Sequence, residues 1–254
     1  MDAKKSLGQH WLNDTAALRR IKELLEIKPG DTVLEIGAGK GALTRYLAES
    51  SASVVAVEYD GELAKRLAND VPKPLEVVNA DFLEFDLESL PEGYKIVGNI
   101  PYYITGKIVK KCLCARNKPS LVVLLVQKEV AERIAAPVGK LSILGVLSQF
   151  YAEIALGPVA TADKFSPAPK VDSQVVVLKP RPEVQIDKDF EKIVRAGFSA
   201  KRKKLKTALA GGLGIDKTAA EKLLQKSQID PNNRAQNLSV ADWRRLTQTV
   251  NFVI

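Results

Sequence analysis

The chain has 254 residues, 46% of them hydrophobic and 27% charged, which supplies a sizeable core for one large α/β domain or a large domain with a small companion. No apolar run reaches the about 18 residues a membrane-crossing helix needs, and no apolar stretch follows Met1-Asp2-Ala3-Lys4-Lys5, so no membrane association and no secretory signal are expected and the predicted compartment is the cytoplasm. The net charge of +8 is uneven: from Arg181 onward there are 15 Lys and Arg against 8 Asp and Glu, leaving 23 against 22 before it, so the basic excess lies in the last third and points to a polyanionic partner.

Along the chain, Lys4–Asp14 is irregular and amphipathic, and Asn13 or Asp14 is placed to cap a helix running to about Glu26. Pro29-Gly30-Asp31 is a turn. Strands are predicted over 32–36, 53–58, 75–79, 94–99 and 121–126, with helices over 42–49, 61–69 and 106–115 between them. Such alternation predicts a mostly parallel, doubly wound sheet. A helix around 141–149, strand-like residues near 151–156 and a strand over 173–179 suggest an antiparallel edge. Pro180-Arg181-Pro182 reads as a boundary between a catalytic domain, 1–180, and a small helical domain, 181–254, with Gly-rich breaks at Gly211-Gly212-Leu213-Gly214. Cys112 and Cys114, with the single histidine His10, cannot close a zinc site and are expected as reduced thiols.

The chemistry gathers at strand ends. Glu35-Ile36-Gly37-Ala38-Gly39-Lys40-Gly41 follows the first long strand and opens a helix, a place where glycines let the backbone turn tightly and approach a cofactor. Taken alone it fits a nicotinamide enzyme equally well, or a plain turn. Glu58 ends the next strand, where a carboxylate can accept from both hydroxyls of a ribose. Asp81 can accept from an adenine amino group or cap a turn.

Gly98-Asn99-Ile100-Pro101-Tyr102-Tyr103 is the most informative element. The Asn99 amide oxygen is an acceptor, Pro101 biases Ile100 toward an extended backbone that can aim a carbonyl at the same point, and Tyr102 offers a face for a base. Two acceptors hold the two N–H groups of an exocyclic amine and favour a pyramidal nitrogen. A nicotinamide enzyme has no use for this loop. Phe165, in the Pro167/Pro169 loop, can stack on a base, and Lys201, Arg202, Lys203, Lys204 and Lys206 can bind phosphates.

These residues make the chain resemble the ribosomal RNA small-subunit adenine dimethyltransferases of the KsgA/Dim type. The matching blocks are Lys4–Asp14, Glu35–Thr44, Val57–Asp60, Ala80–Asp81, Gly98–Tyr103, Gln127–Ala136 and Phe165–Ser173, with a family-like ending at Asn233–Ser239. The departures are His10 and Trp11, where the family usually has asparagine and phenylalanine. The resemblance implies a class I S-adenosylmethionine-dependent methyltransferase, with a Rossmann-like, seven-stranded, mostly parallel sheet and a small basic helical RNA-binding domain. It implies transfer of two methyl groups to N6 of each of two adjacent adenosines near the 3′ end of small-subunit rRNA. His10, Leu12, Gly37, Gly39, Glu58, Asp81 and Asn99 would contact S-adenosylmethionine; Asn99, Ile100, Pro101 and Tyr102 would hold the amine; Phe165 would stack on the base. The methyl donor is itself activated, so no metal ligand is assigned. The expected partner is small-subunit rRNA in a small ribosomal subunit assembly intermediate, and the expected state is a monomer. Two rivals share part of the pattern: a large-subunit rRNA adenine N6-methyltransferase of the antibiotic-resistance type, and a non-catalytic ribosome-assembly factor that binds RNA.

Overall fold

The structure, a computed structural model, describes residue 4 and residues 7–50, 52–71 and 75–251. Met1, Asp2, Ala3, Lys5 and Ser6 of the amino-terminal segment lie outside the described residues. The described chain divides into two compact units, one of residues 1–131 and 152–182, the other of 132–151 and 183–254.

The first unit holds β1 (Trp11–Leu12), α1 (Thr15–Leu24), β2 (Thr32–Ile36), α2 (Ala42–Ala48), β3 (Ser53–Glu58), α3 (Gly61–Asp70), β4 (Leu75–Asn79), β5 (Lys95–Asn99), α4 (Thr105–Leu113), β6 (Leu121–Gln127), β7 (Ala152–Ala160), β8 (Phe165–Ser166) and β9 (Ser173–Pro180). A helix α5 (Lys128–Ile134) follows β6. β2, β3, β5 and β6 are almost continuously buried, as strands covered on both faces by helices must be, and their Val, Leu and Ile runs supply that burial. Asp14 caps α1 by accepting from the Ala17 N–H at 2.8 Å, and Asp60 caps α3 by accepting from the Glu62 N–H at 3.1 Å.

Seven strands form one sheet in the order β4-β3-β2-β5-β6-β9-β7. The pairs from β4 to β6 are parallel, and those of β9 with β6 and β7 antiparallel. After β2 the chain builds outward through β3 and β4, then returns to lay β5 on the other side of β2. The sheet therefore changes direction between β2 and β5, and the crevice beyond their carboxyl ends is where open α/β sheets bind ligands. Gly37 follows β2 and Asn99 ends β5, so the two glycine-bearing loops of the sequence flank that crevice.

The second unit contains α6 (Ile143–Tyr151), α7 (Lys188–Gly197), α8 (Leu205–Leu213), α9 (Lys217–Lys226) and α10 (Val240–Asn251). Phe190, Leu205, Leu224, Trp243 and Leu246 are buried in its core, and Phe150 stacks on Phe190 at 3.8 Å between ring centroids. The expected break at Gly211-Gly212 does not occur: both lie inside α8, and only Gly214, in the left-handed conformation, ends it. Gly212 is needed for packing, because a Cβ there would come within 2.5 Å of the Ala196 Cα on α7.

Candidate active site

A cavity of about 370 Å³ opens at the switch point between β2 and β5. Of the residues singled out in the sequence, His10, Gly37, Gly39, Glu58, Asp81, Asn99, Ile100, Pro101 and Tyr102 line it. Gly37 and Gly39 have φ of +68° and +58°, a left-handed backbone that β-carbon-bearing residues adopt at a cost. Their loop is tied down on two sides: the Gly37 N–H donates to the Val57 carbonyl and the Gly39 N–H to Glu58 Oε2, both at 2.8 Å.

Glu58 is 6% exposed. Its Oε1 accepts from the Asp60 N–H at 2.8 Å. Burial pushes its carboxyl above the usual range, and the backbone N–H donors pull it back. A carboxylate offers about four lone-pair directions, so backbone donors do not use them all and acceptor capacity remains for a hydroxyl in the cavity. Asp81 Oδ1 accepts from the Leu83 N–H at 2.8 Å as a turn cap, and the residue also lines the cavity. The adjoining loop is pinned by Lys111 Nζ, which donates to the Leu83 and Phe85 carbonyls at 2.7 and 2.6 Å.

Asn99 has one defined orientation. Its Nδ2 donates to the His10 carbonyl at 2.8 Å, and among the described residues its Oδ1 has no hydrogen-bond donor. At this position the wall thus presents the amide oxygen as an acceptor. The Pro101 carbonyl is engaged by the Ile104 N–H at 3.3 Å. Tyr102 is half-buried, its hydroxyl 2.8 Å from the Ser173 hydroxyl and its ring stacked on His10 with centroids 5.9 Å apart and planes 16° from parallel. Burial raises the Tyr102 phenol above its ordinary value, with the Ser173 hydrogen bond opposing. His10 Nδ1 lies 2.7 Å from the Pro167 carbonyl. A carbonyl only accepts, so Nδ1 carries the hydrogen and Nε2 is the ring nitrogen left over.

Two expected site residues are not brought to the cavity wall. Leu12 and Phe165 pair across β1 and β8 and are 3% and 5% exposed in the core. Both are large and apolar, and a two-residue ladder between segments 153 positions apart buries them together. The basic residues lie in the second unit. Lys201, Arg202, Lys203 and Lys204 are exposed on the turn before α8, whereas Lys206 pairs with Glu221 at 3.0 Å and Lys204 Nζ donates to Asn232 Oδ1 at 2.9 Å. The cavity also recruits Trp11 and Tyr103, which the sequence marked without a role, and Tyr59, Phe82 and Lys107, which it did not mark. Lys40 Nζ sits 3.8 Å from the Trp11 ring centroid, fixing that ring over Gly39. Only fold-level proximity selects Tyr59, Phe82 and Lys107; their spacing in the sequence carries no signal.

No helix among the described residues is long and apolar enough to cross a membrane. The family model described as ribosomal RNA adenine dimethylase matches residues 1–251. The chain is 38% identical to the ribosomal RNA small subunit methyltransferase A of Dehalococcoides mccartyi strain CBDB1, over 97% of this chain and 88% of that one. Among solved structures it is similar to a dimethyladenosine transferase from Plasmodium falciparum, with a TM-score of 0.82 and 26% identity over 96% of this chain and 98% of that one. It is also similar to the 23S rRNA methyltransferase ErmE, with a TM-score of 0.72 and 29% identity over 95% and 99% of the two chains. A family match over nearly the whole length, on a class I methyltransferase fold whose crevice gathers Gly37, Glu58 and Asn99, means that this chain belongs to the ribosomal RNA adenine dimethylase family.

Proposed function

We propose that this chain transfers methyl groups from S-adenosylmethionine to N6 of two adjacent adenosines near the 3′ end of small-subunit (16S-type) rRNA, giving N6,N6-dimethyladenosine, and that the crevice between β2 and β5 is where it does so. As a member of its family the chain is an S-adenosylmethionine-dependent rRNA adenine dimethyltransferase. The observation that carries the site assignment is the Asn99 side chain, whose amide nitrogen is committed to the His10 carbonyl and whose oxygen is left as an acceptor.

The residues present suit the methyl donor. The cavity volume of about 370 Å³ falls within the roughly 300–1,000 Å³ typical of small-ligand sites. Left-handed Gly37 and Gly39 bring backbone against it, and Glu58 and Asp81 supply acceptors for ribose hydroxyls and an adenine amine. His10, through Nε2, is assigned to the methionine end, and Leu12 contributes main chain behind it. When bound, the donor supplies a methyl group on a sulfonium already activated for transfer.

The chain's own contribution is position and electrostatics. Asn99 Oδ1 accepts one N–H of the target amine. With the Pro101 carbonyl engaged, the Ile100 carbonyl is the main-chain acceptor for the other. Held this way the nitrogen is pyramidal and its lone pair leaves conjugation with the ring. Tyr102, its hydroxyl fixed by Ser173, supplies the stacking face. Phe165 reaches the base only by leaving the core, so Tyr102 is the aromatic group assigned first. The target base must leave its stack to enter.

The exposed Lys201, Arg202 and Lys203 are assigned to rRNA backbone, recognised by shape and charge. The substrate is a small-subunit assembly intermediate in the cytoplasm and the enzyme works as a monomer. The 38% identity to a small subunit methyltransferase over 97% of the chain favours this substrate over large-subunit RNA. Labelled S-adenosylmethionine offered with separated small and large ribosomal subunits tests the choice: label in small-subunit RNA supports it, and label in large-subunit RNA alone refutes it.

A further inference from the structure

The loop that holds the target amine continues into a part of the molecule that the chemistry above does not use. Tyr103 follows Tyr102 on the same 3-10 turn, Tyr102–Ile104, yet the two side chains differ in setting. Tyr102 is half-buried and tethered. Tyr103 is 67% exposed, and its hydroxyl has no hydrogen bond among the described residues. Tyr103 nevertheless lines the cavity, so its ring lies at the rim. A Cβ at Gly8 would sit 3.5 Å from the ring, so the ring rests on the glycine backbone and keeps its far surface open to solvent. Lys107, four residues on and about one helical turn away, is exposed, lines the same rim, and has no ion pair or hydrogen bond among the described residues.

We infer that Tyr103 and Lys107 form a second nucleotide subsite at the cavity rim, in which the Tyr103 ring stacks on the base next to the adenosine being methylated and the Lys107 ammonium binds a phosphate of the same strand. The inference rests on the function proposed above and adds the residues that hold the strand beside the reacting base. A base drawn out of its stack leaves its neighbour with one bare face, and an exposed aromatic ring one residue beyond the target's own platform is placed to cover it. The lysine one turn later supplies the charge that a backbone phosphate needs. Stacking reads the π-face and ignores the Watson–Crick edge. Such a subsite accepts whichever base neighbours the target, modified or not, so it serves both adenosines of an adjacent pair although their neighbours differ.

The test uses the full chain, S-adenosylmethionine and small subunits lacking the modification, with Tyr103→Ala, Tyr103→Phe and Lys107→Gln beside wild type. Tyr103→Ala is expected to raise the KM for subunits about tenfold, with the dissociation constant for S-adenosylmethionine unchanged, and Tyr103→Phe to recover most of that loss. Lys107→Gln is expected to lower the slope of log KM against log salt concentration by about one. Unchanged subunit KM and salt slope in an active enzyme would overturn the inference. So would a Tyr103→Ala defect that tracks weakened S-adenosylmethionine binding, since the ring would then act through the Gly8 segment. Wild-type enzyme that methylates no small subunit would instead remove the function on which the subsite rests.

Discussion

The side-chain nitrogen of Asn99 donates a 2.8 Å hydrogen bond to the main-chain carbonyl of His10, 89 residues earlier in the chain. This one bond joins the amino-terminal segment to the end of β5 and decides which end of the amide faces the cavity. Asn99→Ala removes the acceptor and the tether together. Loss of one oriented electrostatic partner in an active site costs on the order of 10²–10³ in rate, and a fall of about that size in kcat is expected with intact folding by circular dichroism. Asn99→Asp keeps oxygens but sets a carboxylate against the His10 carbonyl, so it is expected to restore little of the activity.

Tyr102 separates stacking from hydrogen bonding. Tyr102→Phe loses only the bond to the Ser173 hydroxyl, worth about 1 kcal/mol, so kcat/KM should fall by less than about tenfold. Tyr102→Ala also loses the platform for the base, and a fall well beyond tenfold is expected in the same assay. Equal losses in the two variants would assign the hydroxyl, rather than the ring face, to catalysis.

Gly39 is where the backbone argument is sharpest. Its φ is +58°, and a Cβ would stand 3.0 Å from Cδ1 and Nε1 of Trp11. The left-handed conformation alone costs a β-carbon-bearing residue about 1–2 kcal/mol. Gly39→Ala should lower the melting temperature and weaken S-adenosylmethionine binding about tenfold or more, read by calorimetry.

The amino-acid sequence displays this candidate site openly, for a physical reason. β2, β3 and β5 are buried on both faces and read as short, mostly apolar stretches, interrupted in β2 by Glu35, so their ends are visible, and Gly37, Glu58 and Asn99 stand at those ends. The residues that were not visible depend on long-range contacts. Leu12 and Phe165 pair over two residues only, too short a ladder to leave a periodic signature. Gly211 and Gly212 resemble a break but sit inside α8 because α7 packs too closely there for a side chain at 212. Lys206 is indistinguishable from its basic neighbours until the fold brings Glu221 to it.

That difference among the basic residues is testable. Replacing Lys201, Arg202 and Lys203 together by Gln should lower the slope of log KM for small subunits against log salt by about three, at roughly one per released counterion. Lys206→Gln should change the slope little, since its ammonium is already paired with Glu221.

Glu35 gives a pH dependence independent of substrate. It is 3% exposed on β2, and among the described residues its Oε2 has no hydrogen-bond partner. Burial, with the nearby Glu58 charge adding to it, pushes its carboxyl from the ordinary 4.5 up to about 7. The folded state then holds a proton that the unfolded state releases, so this contribution is full below pH 4.5 and disappears as pH rises through about 7. The whole shift corresponds to about 3 kcal/mol. Glu35→Gln should flatten the fall in melting temperature between pH 5 and about 7.5, leaving the variant more stable than wild type at the upper end.

The most direct test of the central claim is methyl transfer to small ribosomal subunits that lack the modification, with mass analysis of the nucleosides, for wild type and Asn99→Ala. Wild type is expected to produce N6,N6-dimethyladenosine near the 3′ end of the small-subunit rRNA, and Asn99→Ala to bind S-adenosylmethionine and the subunit while producing almost none. Dimethyladenosine formed at the wild-type rate by Asn99→Ala would contradict the assigned site, and wild type that binds both partners without forming any methylated adenosine would contradict the assigned reaction.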